Sequence, residues 1–89
     1  MNQKNKNRWI LYGYVIASNR RVDVIKSLKN HPLTPTQIKK ETKLNLSHIS
    51  RTLKNMSQKA IVECLNPGQK KGKLFALTEN GVWIYDQLA

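Results

Sequence analysis

The sequence contains a single cysteine, Cys64, and this scarcity excludes several kinds of protein. One cysteine cannot form an internal disulfide, and His31, His48 and Cys64 lie too far apart along the chain to share a recognised metal-ligand spacing. We therefore expect neither a metal nor a cofactor. A chain of 89 residues buries only a thin core, so oligomerisation is the support that remains. Cys64 itself, within a predicted strand, is expected to be a small core residue.

Carboxylates are scarce as well: 5 Asp and Glu stand against 16 Lys and Arg, a net charge of +11. The carboxylates are scattered singly and no glycine-rich phosphate loop is present, so we expect no enzyme. The positive charge implies a polyanionic partner, either nucleic acid or an anionic membrane. The longest apolar run, Trp9–Ala17, is 9 residues long, which is too short to span a bilayer as a helix. We expect a cytoplasmic protein that does not enter a membrane.

The N-terminal residues differ in character from the rest of the chain. Met1–Asn7 is polar and basic, and we expect it to be disordered. Residues 8–89 are expected to form one domain. Its first segment, Trp9–Ala17, is apolar on nearly every side, so periodicity does not distinguish helix from strand, although we favour a helix.

Three helices are then predicted from capping signals and apolar spacing. Ser18 is a good N-cap for a helix that continues to Lys29. Thr34-Pro35-Thr36-Gln37 combines an N-cap threonine, a proline at the first helical position and a capping-box glutamine, and it begins a helix over Pro35–Thr42. After a tight corner, Asn45 caps an amphipathic helix that continues to Lys59, with an apolar line formed by Ile49, Leu53 and Met56.

The apolar period then changes from that of a helix to that of a strand. Ile61–Leu65 and Lys73–Leu77 are predicted strands, joined by a loop that contains proline, two glycines and two central lysines. Thr78 caps a last helix that continues to Leu88, and we expect it to turn Val82, Tyr85 and Leu88 toward the core.

In this order, the pieces resemble a winged helix-turn-helix regulator of the class that includes the arsenic-repressor-like and multiple-antibiotic-resistance-repressor-like families, especially the small archaeal type. The residues that match are Ser18–Leu28, Leu33–Ile38, Leu44–Leu53, Lys59–Val62 and Leu77–Gly81. The resemblance implies an α+β, mainly α fold: a three-helix core, a two-stranded β-hairpin wing, a C-terminal helix and an extra N-terminal apolar segment. Residues 18–89 would be the core module. Lys43 and Ala60 stand where this class often has glycine.

The resemblance also implies that the helix over residues 45–59 enters the major groove of double-stranded DNA, with the wing over residues 61–77 on the backbone or minor groove. Arg51 suits guanine and Asn55 suits adenine, because each can form two hydrogen bonds to its base. Lysines suit phosphates. Thr34 and Gln37 lie at a helix N-terminus that can hold a phosphate, although capping alone explains both. The full predicted DNA-binding set is Ser47, His48, Ser50, Arg51, Thr52, Lys54, Asn55, Lys70, Lys71, Lys73, Thr34 and Gln37.

The two chain ends offer more apolar surface than so small a module needs. We expect a homodimer interface there, over residues 8–17 and the last helix. The alternative is that the N-terminal segment folds back over the last helix and completes the core of one chain. The residues predicted for the interface are Trp9, Ile10, Tyr12, Val15, Ile16, Trp83 and Ile84.

The main prediction is therefore a sequence-specific, DNA-binding transcriptional regulator. A winged helix also serves as a protein–protein or RNA-binding adaptor. Here, however, the predicted recognition helix is polar and basic, and none of the six aromatic residues lies in that helix or in the wing loop. An abundant, weakly specific DNA-coating protein remains a further alternative, because the charge is so high.

Overall fold

Helices and a short hairpin alternate along the chain in the predicted order, and the fold is mainly helical. The computed structural model describes residues 3–89. Within that range the elements are α1 (Gln3–Ile16), α2 (Asn19–Ser27), α3 (Pro35–Thr42), α4 (Leu46–Gln58), β1 (Val62–Cys64), β2 (Phe75–Leu77) and α5 (Glu79–Leu88). The predicted helix before Lys29 ends earlier than expected, at Ser27, and both strands are shorter than predicted.

Helix α1 corrects the prediction of a disordered N-terminus. It begins at Gln3, so residues 3–7 are helical, while Met1 and Asn2 lie outside the described residues. Lysine and glutamine have good helix propensity. Extending an existing helix by one residue also costs far less than nucleating a new one, and the apolar segment that follows is already helical.

Arg8 attaches α1 to the start of α5. Its Nε donates to Oδ1 of Asn80 at 3.0 Å, and its Nη2 lies 3.4 Å from Oε1 of Glu79, an ion-pair contact outside hydrogen-bond geometry. The Arg8 side chain is 12% exposed, whereas that of Glu79 is 82% exposed, so the hydrogen bond to Asn80 is the firmer of the two contacts.

The hydrophobic core lies between α2, α3 and α4 and is closed by α1, α5 and the base of the hairpin. Each helix turns one apolar face toward it, as the spacing predicts for α2, α3 and α4. The buried apolar residues are Val15, Val24, Ile25, Leu28, Leu33, Ile38, Ile49, Leu53, Met56, Ile61, Val62 and Ile84.

The corner between α3 and α4 is built as the sequence predicts. The Thr34 hydroxyl accepts from the backbone N–H of Gln37 at 3.3 Å, and the Gln37 side chain accepts from the Thr34 N–H at 2.8 Å. Lys43 then ends α3 with a left-handed backbone, φ 63°. Ala60, which follows α4, also has a left-handed backbone, φ 58°. These are the two positions at which the sequence departs from the glycine that such a turn favours.

The hairpin gains a contact that the sequence did not reveal. Strands β1 and β2 are antiparallel, with Val62 opposite Leu77 and Cys64 opposite Phe75. The other edge of β2 pairs with Leu33, just before α3: the Leu33 N–H donates to the Phe75 carbonyl at 3.0 Å, and the Phe75 N–H donates back at 2.9 Å. This bridge fixes the wing relative to the helix-turn-helix unit.

Helix α5 is rotated relative to the prediction. Ile84 is buried and Val82 is 49% exposed, whereas we expected Val82 on the core face. Gly81 explains the rotation: a Cβ built on it would lie 2.3 Å from the backbone oxygen of Ile61, so the helix rests on the chain at its glycine. Thr78 holds this arrangement, because its hydroxyl donates to the Ala60 carbonyl at 2.6 Å and accepts from the Gly81 N–H at 3.1 Å.

Candidate nucleic-acid interface

Helix α4 presents a polar face opposite its core face. At about 100° per residue, the buried line of Ile49, Leu53 and Met56 places positions 47, 51, 54, 55 and 58 on the far side. All of these side chains are exposed. They are Ser47, Arg51, Lys54, Asn55 and Gln58, of which four belong to the predicted DNA-binding set. Ser50 is also exposed and lies on the flank that faces the wing.

Two predicted residues lie elsewhere on α4. His48 and Thr52 are half-buried, and helical geometry places both on the flank away from the wing. Their reach toward a partner in front of the helix is therefore shorter than that of Arg51. Both residues remain predicted DNA contacts, at the edge of the surface.

The start of α4 is held by a local hydrogen-bond pair. Oδ1 of Asn45 accepts from the backbone N–H of Ser47 at 3.1 Å and from its hydroxyl at 3.0 Å. Asn45 therefore caps the helix as predicted, and the same contact fixes the rotamer of Ser47. The hydroxyl oxygen of Ser47 keeps its lone pairs free to accept a further bond.

The wing loop is organised by one asparagine. Oδ1 of Asn66 accepts from the Leu74 N–H at 2.7 Å, and its Nδ2 donates to the Gly72 carbonyl at 3.2 Å. Gly72 has a left-handed backbone, φ 67°. Asn66 thus ties both sides of the loop together, and the lysines between them, Lys70 and Lys71, point away from the core and are exposed.

A groove of about 830 Å³ runs between α4 and the wing. Its walls include four lysines, one from α4 and three from the wing, together with hydroxyl and apolar side chains and no carboxylate. The lining residues are Thr34, Pro35, Thr36, Leu46, Ser50, Leu53, Lys54, Ser57, Gln58, Cys64, Lys70, Lys71, Gly72, Lys73 and Phe75. We call this feature the wing groove. It brings α4, the wing and the start of α3 onto one surface.

The cations of this surface lack partners in the part of the chain that the structure describes. Among residues 3–89, no hydrogen bond or ion pair involves the side chains of Arg51, Lys54, Lys70, Lys71 or Lys73. A lysine or arginine without a carboxylate partner in its own chain is free to bind an anion without first breaking a contact.

The two residues at the start of α3 are already engaged. Thr34 lies in the wall of the wing groove and Gln37 is exposed, but both side chains are used in the capping box. Gln37 keeps its amide N–H groups free, whereas the Thr34 oxygen already accepts a bond. Capping therefore accounts for both residues.

Sequence reasoning missed several residues of this surface. Leu46, Thr36 and Phe75 line the wing groove but were not predicted to belong to it. Cys64, expected in the core, is half-buried and lines the groove too. Strand alternation could not have indicated this for Cys64, because it places Cys64 on the same face as Val62, which is buried.

The surface predicted for dimerisation is divided by the structure. Val15 and Ile84 are 0% exposed and belong to the core of this chain, so their assignment to an interface was wrong. Tyr12 and Trp83 are half-buried against Trp9, whose ring lies 5.4 Å from that of Tyr12 and 4.9 Å from that of Trp83. The N-terminal segment therefore does fold over α5, as the alternative expected.

Helix α1 nevertheless keeps an uncovered apolar stripe. Trp9, Ile10 and Ile16 are 47%, 63% and 48% exposed. Gly13 lies between them on the same face, and a Cβ built there would have nothing within 4 Å. We call these four residues the α1 stripe. It is the part of the predicted interface that stays available.

Two other kinds of site are absent from the described residues. None of their helices is long and apolar enough to cross a membrane. Within residues 3–89, no three side chains among His, Cys, Asp and Glu are grouped so that they could hold a metal ion.

No protein-family model matches the sequence, and a comparison with curated proteins gives no match. Solved structures do match. MarR from E. coli superposes with a TM-score of 0.71 and 29% identity, over 94% of this chain and 66% of MarR. This chain thus spans about two thirds of the MarR chain. A mutant MarR complexed with operator DNA superposes with a TM-score of 0.69 at the same identity.

Two further structures share the fold at lower identity. Reduced HlyU from Vibrio cholerae has a TM-score of 0.78 and 16% identity, over 97% of this chain and 90% of HlyU. A homodimeric winged helix-turn-helix DNA-binding domain from Mycobacterium bovis, a possible ArsR-family transcriptional regulator, has a TM-score of 0.74 and 15% identity, over 99% of this chain and 83% of that one. The chain has the winged helix-turn-helix fold that these structures share.

Proposed function

We propose that the protein is a transcriptional regulator that recognises a specific sequence in double-stranded DNA and works in the cytoplasm. The observation that supports this most is the wing groove, where four lysines meet the exposed polar face of α4 without a carboxylate among the lining residues. A groove of this charge matches the backbone of a duplex, and a helix beside it has the diameter that the major groove admits.

In this proposal α4 reads bases. Arg51 lies at the middle of the exposed face and has no partner among the described residues. Its planar guanidinium can donate two parallel hydrogen bonds to the acceptors of guanine. Asn55, one turn further along, can pair in the same way with adenine, and Ser47 and Ser50 suit shorter contacts to bases or phosphates.

The wing then supplies affinity and contributes little sequence choice. Lys70, Lys71 and Lys73 project from a loop that Asn66 holds in shape. Contacts of lysines with phosphates are independent of sequence and weaken steeply as salt increases. Lys54, on the opposite wall of the groove, would bind the same stretch of backbone from the other side.

The test is duplex binding by wild type and Arg51→Ala across a salt series, on random DNA and on a sequence selected from a random pool. We expect wild type to prefer the selected duplex by at least about a thousandfold. Arg51→Ala should lose about 1–3 kcal/mol on that duplex and much less on random DNA. Arg20→Ala is a matched control, because Arg20 is also an exposed arginine but lies on α2, outside the wing groove.

Other outcomes favour other functions. Equal binding to all duplexes would favour a DNA-coating protein, for which the net charge of +11 is the supporting observation. Binding to single-stranded or structured RNA in preference to duplex DNA would favour an RNA adaptor. Failure to bind any nucleic acid at low salt would contradict the proposal and favour a protein–protein adaptor.

We further propose a homodimer formed through the α1 stripe. Its exposed apolar side chains follow one another at helical spacing, and Gly13 allows another helix to approach closely. A second copy related by two-fold symmetry would cover the α1 stripe of both chains. Two copies of α4 would then read a pseudo-palindromic site with half-sites about one helical turn apart.

Sedimentation or light scattering tests the dimer. Ile10→Glu together with Ile16→Glu should convert a dimer to a monomer and weaken binding to the two-half-site duplex, without changing binding to a single half-site. Leu65→Glu is the control for the oligomeric state, since Leu65 is 48% exposed but lies in the wing and not on α1. A wild-type monomer at micromolar concentration would contradict the proposal, as would a double variant that remains dimeric.

A further inference from the structure

Leu46 is an apolar residue in a place where the surface is otherwise polar and cationic. It is the first residue of α4 and is 39% exposed, whereas Ile49, Leu53 and Met56 on the same helix are at most 1% exposed. Of the large apolar side chains of residues 3–89 that are this exposed, Leu46 alone lines the wing groove. A leucine needed only for the core would be covered as completely as its neighbours.

The position of Leu46 defines what it can contact. Leu46, Ser50 and Lys54 follow one another at intervals of four residues along the wing side of α4, so they form a line that ends at the N-terminus of the helix. Side chains of a helix lean toward its N-terminus. Leu46 therefore projects from the end of α4 that would reach furthest into a major groove, where the N-terminal residues of a recognition helix contact base edges.

The local backbone holds Leu46 in this position. Asn45, directly before it, caps the helix through bonds to the N–H and hydroxyl of Ser47, directly after it. Leu46 lies between Asn45 and Ser47, which are joined by these hydrogen bonds, so its backbone is fixed before any partner binds. A preformed apolar contact costs less conformational entropy on binding than one on a mobile loop.

We infer that Leu46 selects thymine, through contact with the C5-methyl group, at one base pair in each half-site. That methyl is the apolar group which the major-groove edges of the four base pairs present, and a phosphate or a hydrogen-bonding base edge gains nothing from a leucine. The inference rests on the proposed function, because it assigns one base of the site that α4 would read. Arg51 and Asn55, on the outer face, would read neighbouring bases.

Replacement of thymine by deoxyuridine tests this directly, since it removes the methyl and leaves the base pair intact. On the duplex selected in the salt-series experiment, each thymine is replaced in turn. Wild type should lose about three- to fivefold in affinity at one position per half-site, the effect of one buried methyl group. Leu46→Ala should lose a similar factor on the unmodified duplex and lose nothing more when that thymine is replaced.

Two variants separate a base contact from a structural effect. Leu46→Met keeps an apolar side chain and should keep the sensitivity to deoxyuridine, and Leu65→Ala removes an exposed leucine outside the groove and should keep it as well. Thermal unfolding of each variant shows whether it is folded. The wild-type substitution series needs no variant, so the inference can fail even if Leu46→Ala is unstable.

The inference is overturned if no thymine is sensitive in wild type, or if Leu46→Ala retains the full sensitivity. In either case tight and selective binding to the duplex would leave the proposed function intact. Absence of duplex binding by wild type would contradict the proposed function and this inference together.

Discussion

The two ends of the molecule use their cations differently. At the end formed by α1 and α5, arginine and lysine side chains contact groups of their own chain. The guanidinium of Arg21 lies 3.8 Å from the centre of the Tyr14 ring and donates to the Tyr14 carbonyl at 2.6 Å, and the ammonium of Lys59 lies 4.7 Å from the same ring. Lys29 lies 5.3 Å from the ring of Tyr85. At the wing groove, by contrast, the cations have no such partner among residues 3–89.

This difference separates charge that supports the fold from charge that is available to a partner. A cation over an aromatic ring gains about 0.5–1 kcal/mol at an exposed site and has already lost part of its freedom. A lysine in the wing groove has neither gained that energy nor lost that freedom. The net charge of +11 therefore does not show how many of the cations contact their own chain and how many are available to a partner.

The largest expected effect comes from neutralising the wing. Lys70→Gln, Lys71→Gln and Lys73→Gln together should reduce affinity for duplex DNA about 100-fold at low salt and lower the slope of log affinity against log salt by about 3, one per lost phosphate contact. Fluorescence anisotropy across a salt series measures both quantities. Lys29→Gln is the control, since Lys29 already contacts an aromatic ring. An equal loss of affinity from Lys29→Gln would contradict the distinction between cations that support the fold and cations that bind DNA.

At the opposite end of the molecule, one added methyl group should be enough to destabilise the packing of α5. Gly81→Ala places a Cβ 2.3 Å from the backbone oxygen of Ile61, so α5 must move away. We expect a loss of about 3 kcal/mol in the free energy of unfolding, and a melting temperature lower by about 10–20 °C. Ser50→Ala, on the exposed polar side of α4, should change stability by less than about 0.5 kcal/mol. A melting temperature that Gly81→Ala leaves unchanged would show that α5 does not rest on its glycine.

The smallest expected effect concerns the two left-handed residues. Lys43→Gly and Ala60→Gly should each raise the free energy of unfolding by about 0.5–1 kcal/mol, because a left-handed backbone costs a non-glycine residue about 1–2 kcal/mol, partly offset by the greater freedom of glycine in the unfolded chain. Urea unfolding at a fixed protein concentration measures this. Gly72→Ala, at φ 67°, should lower the stability instead. A loss of stability from Lys43→Gly or from Ala60→Gly would contradict the account.

Local signals in the sequence were enough to predict most of the helical elements. The capping box at Thr34, the cap at Asn45 and the cap at Thr78 are each formed by residues a few positions apart, and the structure confirms all three. The apolar line of α4 is compatible with only one buried face, because the other positions of the helix are mostly polar. The exposed face with Arg51 follows from that line, although its role in binding DNA stays a prediction.

What could not be predicted depends on contacts between distant residues. Helix α5 is apolar on two faces, and spacing alone predicted Val82 on the core face; the observed rotation depends on Gly81 meeting Ile61. The burial of Val15 could not be predicted either, because its segment is apolar on nearly every side and the spacing does not show which side faces the core. The bridge from Leu33 to Phe75 joins residues too far apart for any local pattern to reveal.

The most direct test of the central claim is the position of the DNA on the protein surface, measured by NMR amide shifts of isotope-labelled protein titrated with the selected duplex. The account predicts that the largest shifts lie in residues 46–58 and 66–73, with small shifts in residues 79–88. Shifts that are largest in α5 or along the α1 stripe, with α4 and the wing unchanged, would contradict the claim that the wing groove and the exposed face of α4 are the nucleic-acid interface.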